Sequence, residues 1–281
     1  MNYVENVYEL AESILEDSQY VFLNEPKIKE YSKFLQTVNY PEPFKCCMGP
    51  EIETLVELVT TSIDYCFWYG RSTIRANDCG CSLLYKIIYD IFSQPFQSLK
   101  SCLEKVTKTL ITMRFPLLEH RIRHLKELEV KAEGFVFYIV SYHDKESLND
   151  MLSNLICTFP GFAEDLFLKR ACLFFIQLYR KHRWFENEMR SFLIPADYQL
   201  PKVMFNYGLI SYLPSLKNMI FSHQLIPKGS LQEVEIRAAT VLAAKKICEY
   251  SGWNIADIDT ILFAQRKLVN APFHLTITTD Y

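Results

Sequence analysis

Apolar side chains recur at helical spacing along most of this chain. In the segment 50–67, for example, Leu55, Leu58 and Val59 fall on one side of a helix, because residues three and four positions apart share a helical face. Residues 134–142 fit either a helix or a short strand. The pattern predicts helices over residues 3–16, 26–37, 50–67, 82–92, 97–112, 116–130, 145–157, 163–182, 200–207, 212–221, 231–250 and 255–267.

The connections between these helices are made without many glycines. The chain has only eight, so Pro, Asn, Asp and Ser must form most of the turns. No repeat of fixed period and no low-complexity tract interrupts the pattern. We therefore predict a mainly α, compact multi-helix domain with little β structure that spans residues 1–281. Residues 1–112 could form an N-terminal helical subdomain packed on residues 113–281.

Composition and charge narrow the class of protein. Apolar residues make up 49% of the 281 residues, which is enough to bury a sizeable core. The formal net charge of −3 argues against a strongly basic surface for nucleic acid. Glu5, Glu9 and Glu12 interrupt any apolar segment near the start of the chain that could act as an N-terminal signal. No apolar run approaches the length of a bilayer span. We expect a soluble, cytoplasmic protein with no membrane partner.

The cysteines and histidines do not form a recognisable metal motif. The nine cysteines are odd in number, and the pairs Cys46-Cys47 and Cys79-Gly80-Cys81 lack zinc-binding spacing with a matching second pair. His120 and His124 share a helical face, but no third ligand completes a site. We expect plain buried or partly buried thiols, and neither a metal nor a cofactor.

Several charged residues stand where a core would be expected. Lys169 opens an otherwise apolar helix, Asp197 stands at a turn before Pro201, and Glu235 and Arg237 lie on a helix rich in small residues. Burying a charged side chain costs free energy unless an ion pair offsets the cost, and unpaired buried charges often belong to functional sites. Asp197 could instead cap a helix, Lys169 could lie on a solvated stripe, and Glu235 could be an exposed acid near a helix start.

The helix near residue 231 has a distinct start signal. Ser230 and Glu233 have the spacing of a capping box, in which Ser230 is the N-cap and Glu233 reaches back to it. Gly229 allows backbone conformations in the turn before this helix that other residues rarely adopt. This assigns Glu233 a structural role and leaves Glu235 unexplained by capping.

These segments occur in an order that resembles the queuosine salvage proteins, the queuosine 5′-phosphate N-glycosylase family. The similarity is strongest from Phe115 to Ile247 and extends upstream to an aromatic motif and downstream to the C-terminal ending. The segments that carry it are Tyr65-Cys66-Phe67-Trp68, Pro116-Leu117-Leu118-Glu119-His120-Arg121, Phe159-Pro160-Gly161-Phe162, Lys169-Arg170-Ala171, Ala196-Asp197-Tyr198, Leu209-Ile210-Ser211-Tyr212, Gly229-Ser230, Glu233-Val234-Glu235-Ile236-Arg237-Ala238, Pro272-Phe273-His274-Leu275-Thr276 and Tyr281.

The resemblance implies hydrolysis of an N-glycosidic bond, in which queuosine 5′-monophosphate gives queuine and ribose 5-phosphate for tRNA modification. It also implies a fold similar to the helical DNA glycosylases. Asp197 would stabilise positive charge on the ribose and activate water, and Glu235 would assist the leaving base. We expect these two carboxylates and Lys169 to meet in one mostly apolar cavity, with Phe67 or Trp68 on its wall.

The remaining candidates concern substrate binding. Phe67, Trp68 and Tyr198 could stack on the base, although Phe67 and Trp68 could equally be core aromatics. The 5′-phosphate needs cations, for which the candidates are Lys169, Arg237 and His274. Tyr281, in the C-terminal ending, is a further expected substrate-binding residue.

Two other function classes stay open. A DNA-repair base glycosylase could use a similar fold, but it would need a basic surface and a base-flipping wedge. A non-catalytic helical protein that binds a nucleotide or a partner is the second. We expect the chain to act as a monomer on a free nucleotide, without direct contact to nucleic acid.

Overall fold

A computed structural model of the chain describes residues 2–39, 48–70, 80–95 and 98–281. Twelve α-helices and one two-stranded sheet lie in these ranges, which confirms the predicted mainly α class with little β. Within the same ranges, no helix is both long and apolar enough to cross a membrane.

The chain divides into two compact units, each assembled from separate parts of the sequence. The first consists of Met1–Pro43 and Phe185–Ile277, and the second of Phe44–Trp184 and Thr278–Tyr281. The single domain with a possible N-terminal subdomain over residues 1–112 stays a prediction. Residues 1–112 contribute to both units. The physical reason is that the first two helices pack against a helix that begins at Leu231.

The first unit contains six helices and the sheet among its described residues. Strands β1 and β2 are antiparallel, and Val21 pairs with Tyr212. The elements, in chain order, are α1 (Tyr3–Glu16), β1 (Val21–Leu23), α2 (Glu25–Leu35), α9 (Gln199–Asn206), β2 (Ile210–Tyr212), α10 (Pro214–Phe221), α11 (Leu231–Ser251) and α12 (Ile255–Gln265).

Helix α11 forms the centre of this unit. It packs against α1, α2, α9 and α12, and it is buried on all sides over most of its length. A helix that is buried all round must be a core element. Ala238, Ala239, Ala243 and Ala244 are fully buried, and their small side chains allow the neighbouring helices to approach closely.

The second unit contains the other six helices. Its central helix is α3, which packs against α4, α6 and α8. The elements, in chain order, are α3 (Pro50–Ser62), α4 (Gly80–Phe92), α5 (Leu99–Thr112), α6 (Leu118–Tyr142), α7 (Leu148–Thr158) and α8 (Lys169–His182).

A buried ionic cluster joins three of these helices. Lys181 of α8 forms an ion pair with Glu57 of α3 at 2.9 Å and another with Glu53. The Lys181 amine also donates to the Tyr85 hydroxyl of α4 at 2.9 Å. Burial raises the pKa of Glu57, while Lys181 opposes that shift. The cluster fixes how α3, α4 and α8 pack.

Three element boundaries differ by five residues or more from those predicted. Helix α6 continues to Tyr142, so the ambiguous segment 134–142 is helical. The predicted helix over 163–182 begins only at Lys169, because Asp165 accepts hydrogen bonds from the N–H groups of Phe167 and Lys169 and Leu168 has a left-handed φ of 52°. The predicted helix over 50–67 ends at Ser62.

None of the six cysteines within the described ranges forms a disulfide. Four of them are buried, as expected, whereas Cys157 is exposed on α7. Cys46, Cys47 and Cys79, which belong to the two close pairs in the sequence, lie outside the described residues.

Candidate active site

Buried cations bind the backbone that follows α3. Arg170 donates to the carbonyl oxygen of Ser62 at 2.5 Å, and Arg121 donates to those of Ile63 and Tyr65. The last carbonyls of a helix have no intrahelical donor and carry partial negative charge. Arg121 and Arg170 are at most 1% exposed. They therefore end the helix at this point and fix the path of the chain toward Phe67.

Lys169 binds the same backbone through Asp64. Its Nζ donates to the Asp64 carbonyl oxygen at 2.8 Å and to Asp64 Oδ2 at 2.6 Å. Both residues are buried, so the ion pair is shielded from water. The alternative of Lys169 as a solvated cation is thus wrong, whereas its expected role in substrate binding stays a prediction.

Tyr65 and His124 complete the surroundings of these cations. The Arg121 guanidinium lies over the Tyr65 ring at 4.4 Å, a cation–π contact. The Tyr65 hydroxyl is 3.3 Å from Nδ1 of His124. Burial, reinforced by Arg170, lowers the pKa of His124 to about 3, so its imidazole is neutral at neutral pH.

The second residue of the aromatic motif Tyr65-Cys66-Phe67-Trp68 has a left-handed backbone conformation. Cys66 has φ 45°, and its N–H donates to the carbonyl oxygen of Tyr281 at 2.9 Å. Burial raises the pKa of the Cys66 thiol, which disfavours a thiolate. Phe67 and Trp68 are half-buried, and the Phe67 ring meets Phe115 edge to face at 6.4 Å. Tyr281 is fully buried.

Gly161 of the Phe159–Phe162 motif packs against the same group. Its carbonyl accepts from Arg170, and its N–H donates to Glu127 at 2.9 Å. A Cβ at this position would lie 2.8 Å from both His124 and Glu127. The motif therefore requires glycine because of a close approach, since a methyl group would displace His124.

In the first unit, Asp197 forms the turn that starts α9. Its Oδ1 accepts hydrogen bonds from the N–H groups of Gln199 at 2.7 Å and Leu200 at 3.1 Å. Its own N–H donates to the Pro195 carbonyl at 2.8 Å, and the residue is half-buried. The predicted capping role is thus observed, and these contacts also hold the carboxylate in one orientation.

Arg237 of α11 holds the peptide immediately before Asp197. Its Nε donates to the Ala196 carbonyl at 3.0 Å, and its Nη1 lies 3.8 Å from Glu233. Burial, reinforced by Arg237, lowers the pKa of His274 to about 3. His274 therefore carries no charge at neutral pH. Nearby in sequence, the Tyr198 ring packs on Phe273 at 4.8 Å.

Glu235 anchors the start of the sheet. Its Oε1 accepts from the N–H of Gln19 at 2.9 Å, and its Oε2 accepts from those of Tyr20 at 2.7 Å and Val21 at 3.0 Å. The residue is fully buried, so the alternative of an exposed acid is wrong. Both carboxylate oxygens accept hydrogen bonds from the backbone at β1 and anchor it, and the expected assistance to the leaving base stays a prediction.

The start of α11 follows the predicted capping box in part. The Glu233 N–H donates to Ser230 Oγ at 3.4 Å. The Glu233 carboxylate, however, accepts from the N–H of Gly229 at 3.0 Å rather than from Ser230. The left-handed φ of 73° at Gly229 is a conformation that glycine adopts readily, and it aligns this N–H with the carboxylate.

The predicted site residues fall into two sets, one in each unit. The expected meeting of Asp197, Lys169 and Glu235 in one cavity stays a prediction. The sequence patterns did not single out Asp64 or Arg121 as site residues, although Asp64 is a charged residue within the mostly apolar segment 50–67. The second unit holds Phe67, Trp68, Lys169 and Tyr281, and the first holds Asp197, Tyr198, Glu235, Arg237 and His274.

Most of this sequence is similar to the sequences of known proteins. The family described as "Queuosine salvage protein" matches residues 57–274. A protein of Sphaerobacter thermophilus named queuosine 5′-phosphate N-glycosylase/hydrolase is 26% identical over 265 residues, which cover 80% of each chain. A Dictyostelium discoideum protein of the same name is 26% identical over 251 residues, covering 80% of this chain and 77% of its own. The matched span includes every predicted site residue except Tyr281, and the chain belongs to the queuosine salvage protein family.

Proposed function

We propose that this chain hydrolyses the N-glycosidic bond of queuosine 5′-monophosphate and releases queuine and ribose 5-phosphate. The observation that carries the proposal is the family match over residues 57–274. Relatives that align over about four fifths of their length bear the name of this activity. We further propose that the protein is cytoplasmic and acts as a monomer. We also propose that its substrate is a free nucleotide rather than nucleic acid, which the weak net charge supports.

In this proposal Asp197 acts on the ribose. Departure of the base leaves positive charge on C1′ and O4′, and a fixed carboxylate stabilises that charge without reorganising. The two N–H groups bound to Oδ1 keep the carboxylate in place. The same group would orient or deprotonate the attacking water.

Arg237 has a supporting role in the same step. Arg237 donates to the Ala196 carbonyl and pairs with Glu233. Through these contacts it stabilises the turn that carries Asp197. His274 is uncharged at neutral pH, and Arg237 is already engaged by Ala196 and Glu233, so we do not propose either residue as a charged phosphate ligand. Preference for the 5′-phosphate then rests on the names of the relatives.

We propose that Phe67 and Trp68 of the aromatic motif bind the base. Phe67 and Trp68 are half-buried and follow a backbone that buried cations hold rigidly, so their rings offer a preformed stacking surface. Tyr198 of the first unit remains a stacking candidate, and Tyr281 is proposed to position the aromatic motif through its hydrogen bond to Cys66.

The experiment is an incubation of the purified protein with queuosine 5′-monophosphate, with queuosine and with duplex DNA that contains modified bases. Chromatography of the products should show free queuine from the nucleotide, less or none from the nucleoside, and no base released from DNA. Base release from DNA alone would instead support a repair glycosylase. Binding of the nucleotide without cleavage would support a non-catalytic binding protein.

A further inference from the structure

A cavity of about 250 Å³ lies within the first unit, at the C-terminal end of α11. All of its lining residues belong to the first unit, and none is a site residue predicted from the sequence. At about 30 Å³ for each water-sized group, the cavity has room for roughly eight of them. It therefore suits one small molecule.

Part of the cavity is apolar. Two buried residues, Trp253 and Cys248, line it. Burial, reinforced by Glu249, raises the pKa of the Cys248 thiol to about 12, so this side chain stays neutral and behaves as a small apolar group. Gly252 also lines the cavity, and a Cβ there would meet open space. This part of the cavity can therefore receive an apolar group.

Glu249 brings a negative charge to the cavity. Lys245 lies one turn earlier on α11, at the i, i+4 spacing of a helical ion pair. Lys245 nevertheless pairs with Glu12 at 2.8 Å and lies over the Tyr8 ring at 4.7 Å. Glu249 is exposed and has no ion-pair partner within the described ranges. The last carbonyls of α11 add partial negative charge at the same end of the helix.

Arg190 brings the opposite charge to the same cavity. It ends the short 3₁₀ helix Glu188–Arg190 and is exposed. Among the residues that the structure describes, no carboxylate pairs with Arg190, and Glu249 does not pair with it either. The neighbouring Ser191 also lines the cavity and offers a hydroxyl. The cavity therefore keeps two opposite charges apart and has an apolar part beside them.

We propose that this cavity binds a free α-amino acid with an apolar side chain. Arg190 and Ser191 bind the α-carboxylate, because the fork of a guanidinium matches two carboxylate oxygens. Glu249 and the negative end of α11 bind the α-ammonium. The apolar side chain lies against Trp253 and Cys248. This site is separate from the proposed reaction, because it contains no residue that is assigned to the ribose or to the base.

The first test leaves the protein unchanged and compares probes of similar size. Calorimetry measures the binding of L-leucine, of 3-methylbutylamine, which lacks the carboxylate, and of 4-methylpentanoate, which lacks the ammonium. We expect L-leucine to bind and each singly charged probe to bind at least about tenfold more weakly, since one charge-assisted contact is lost. No binding of L-leucine at millimolar concentration, or equal affinities for the three probes, would overturn the proposal.

The second test removes each charge of the protein in turn. Arg190→Gln should weaken L-leucine about tenfold or more and leave 3-methylbutylamine within about twofold, because that amine has no group for Arg190. Glu249→Gln should weaken L-leucine to a similar extent and leave 4-methylpentanoate within about twofold. The matched control is Glu104→Gln on α5, another exposed carboxylate, which should change none of these affinities.

The replaced side chains are all exposed, so the three variants should melt at the temperature of the wild-type protein. If Arg190→Gln and Glu249→Gln both keep the wild-type affinity for L-leucine, the amino acid binds elsewhere and the proposal is overturned. Both tests measure binding alone. Their outcome therefore does not depend on whether the protein releases queuine.

Discussion

The Nε of Arg237 donates a hydrogen bond to the carbonyl oxygen of Ala196 at 3.0 Å, which places a buried guanidinium directly behind the peptide that precedes Asp197. The Arg237 side chain is 2% exposed, so this contact is shielded from solvent. An arginine on the central helix α11 thereby supports the turn that presents the proposed catalytic carboxylate.

Replacing Arg237 by Lys should lower kcat by about tenfold, because the lysine ammonium lacks the fixed geometry of the Nε donor and the turn shifts. KM for the nucleotide should stay within about twofold, because the side chain does not contact the phosphate in this account. Steady-state kinetics with queuosine 5′-monophosphate separates the two parameters. A rise in KM for the nucleotide with an unchanged kcat would return Arg237 to the phosphate site.

Replacing Asp197 by Asn tests the catalytic role apart from the cap. Asn caps helices about as well as Asp, so the hydrogen bonds from Gln199 and Leu200 should persist and the melting temperature should change little. Product formation should fall by about 100-fold or more, since the charge that stabilises the ribose cation is gone.

The control for Asp197 is Ser147→Ala, which removes the side-chain cap of α7. It should cost about 1 kcal/mol of stability and leave turnover unchanged. An Asp197→Asn protein that folds normally and turns over at the wild-type rate would leave Asp197 with its capping role alone.

Replacing Glu235 by Gln should mainly affect stability. The neutral amide has one acceptor oxygen in place of two charged ones, so at least one of the three N–H groups at Gln19, Tyr20 and Val21 loses its partner. We expect unfolding in urea to show a loss of about 2–4 kcal/mol, with kcat of the folded fraction close to wild type. A stable variant that cannot release the base would restore the acid–base role predicted from the sequence.

His124 and His274 should make the protein sensitive to acid. Burial lowers both pKa values to about 3, whereas an unfolded histidine titrates near 6.5, so between these values the unfolded chain binds more protons. Stability is therefore complete above about pH 6.5 and falls as the pH drops toward 3, by up to about 1.4 kcal/mol per pH unit for each histidine.

Denaturation curves between pH 4 and 7 measure this slope. Arg170, Arg123 and Glu164 face His124, and Arg237 faces His274, so each histidine is replaced separately by Gln. Each variant should have a shallower slope than the wild-type protein. A His274→Gln variant with the wild-type slope would show that His274 is not the buried neutral group described here.

The periodicity of apolar residues predicted most of the helices, because helix burial depends on local spacing. It failed where side chains distant in sequence decide the outcome. Helix α3 was predicted to reach residue 67, yet it ends at Ser62. The reason is that Arg170 binds the Ser62 carbonyl and Arg121 binds the Ile63 carbonyl, and both arginines are more than 50 residues away. No local pattern contains that information.

The same limit applies to the candidate site. Asp197, Lys169, Glu235 and Arg237 were identified correctly as polar residues in apolar surroundings. Their individual partners were not predictable, since Glu235 binds backbone N–H groups at residues 19–21 and Lys169 binds Asp64. Asp64 itself was overlooked because it lies within the predicted helix over residues 50–67, where a single carboxylate resembles an ordinary solvent-facing residue.

The most direct measurement mixes the purified protein with queuosine 5′-monophosphate in phosphate-free buffer and quantifies queuine and ribose 5-phosphate by mass spectrometry. The account predicts that both products appear in equal amounts with multiple turnovers per protein molecule, and that the Asp197→Asn variant reduces both about 100-fold. No queuine at a stoichiometric amount of protein, or equal release by the wild-type protein and this variant, would contradict it.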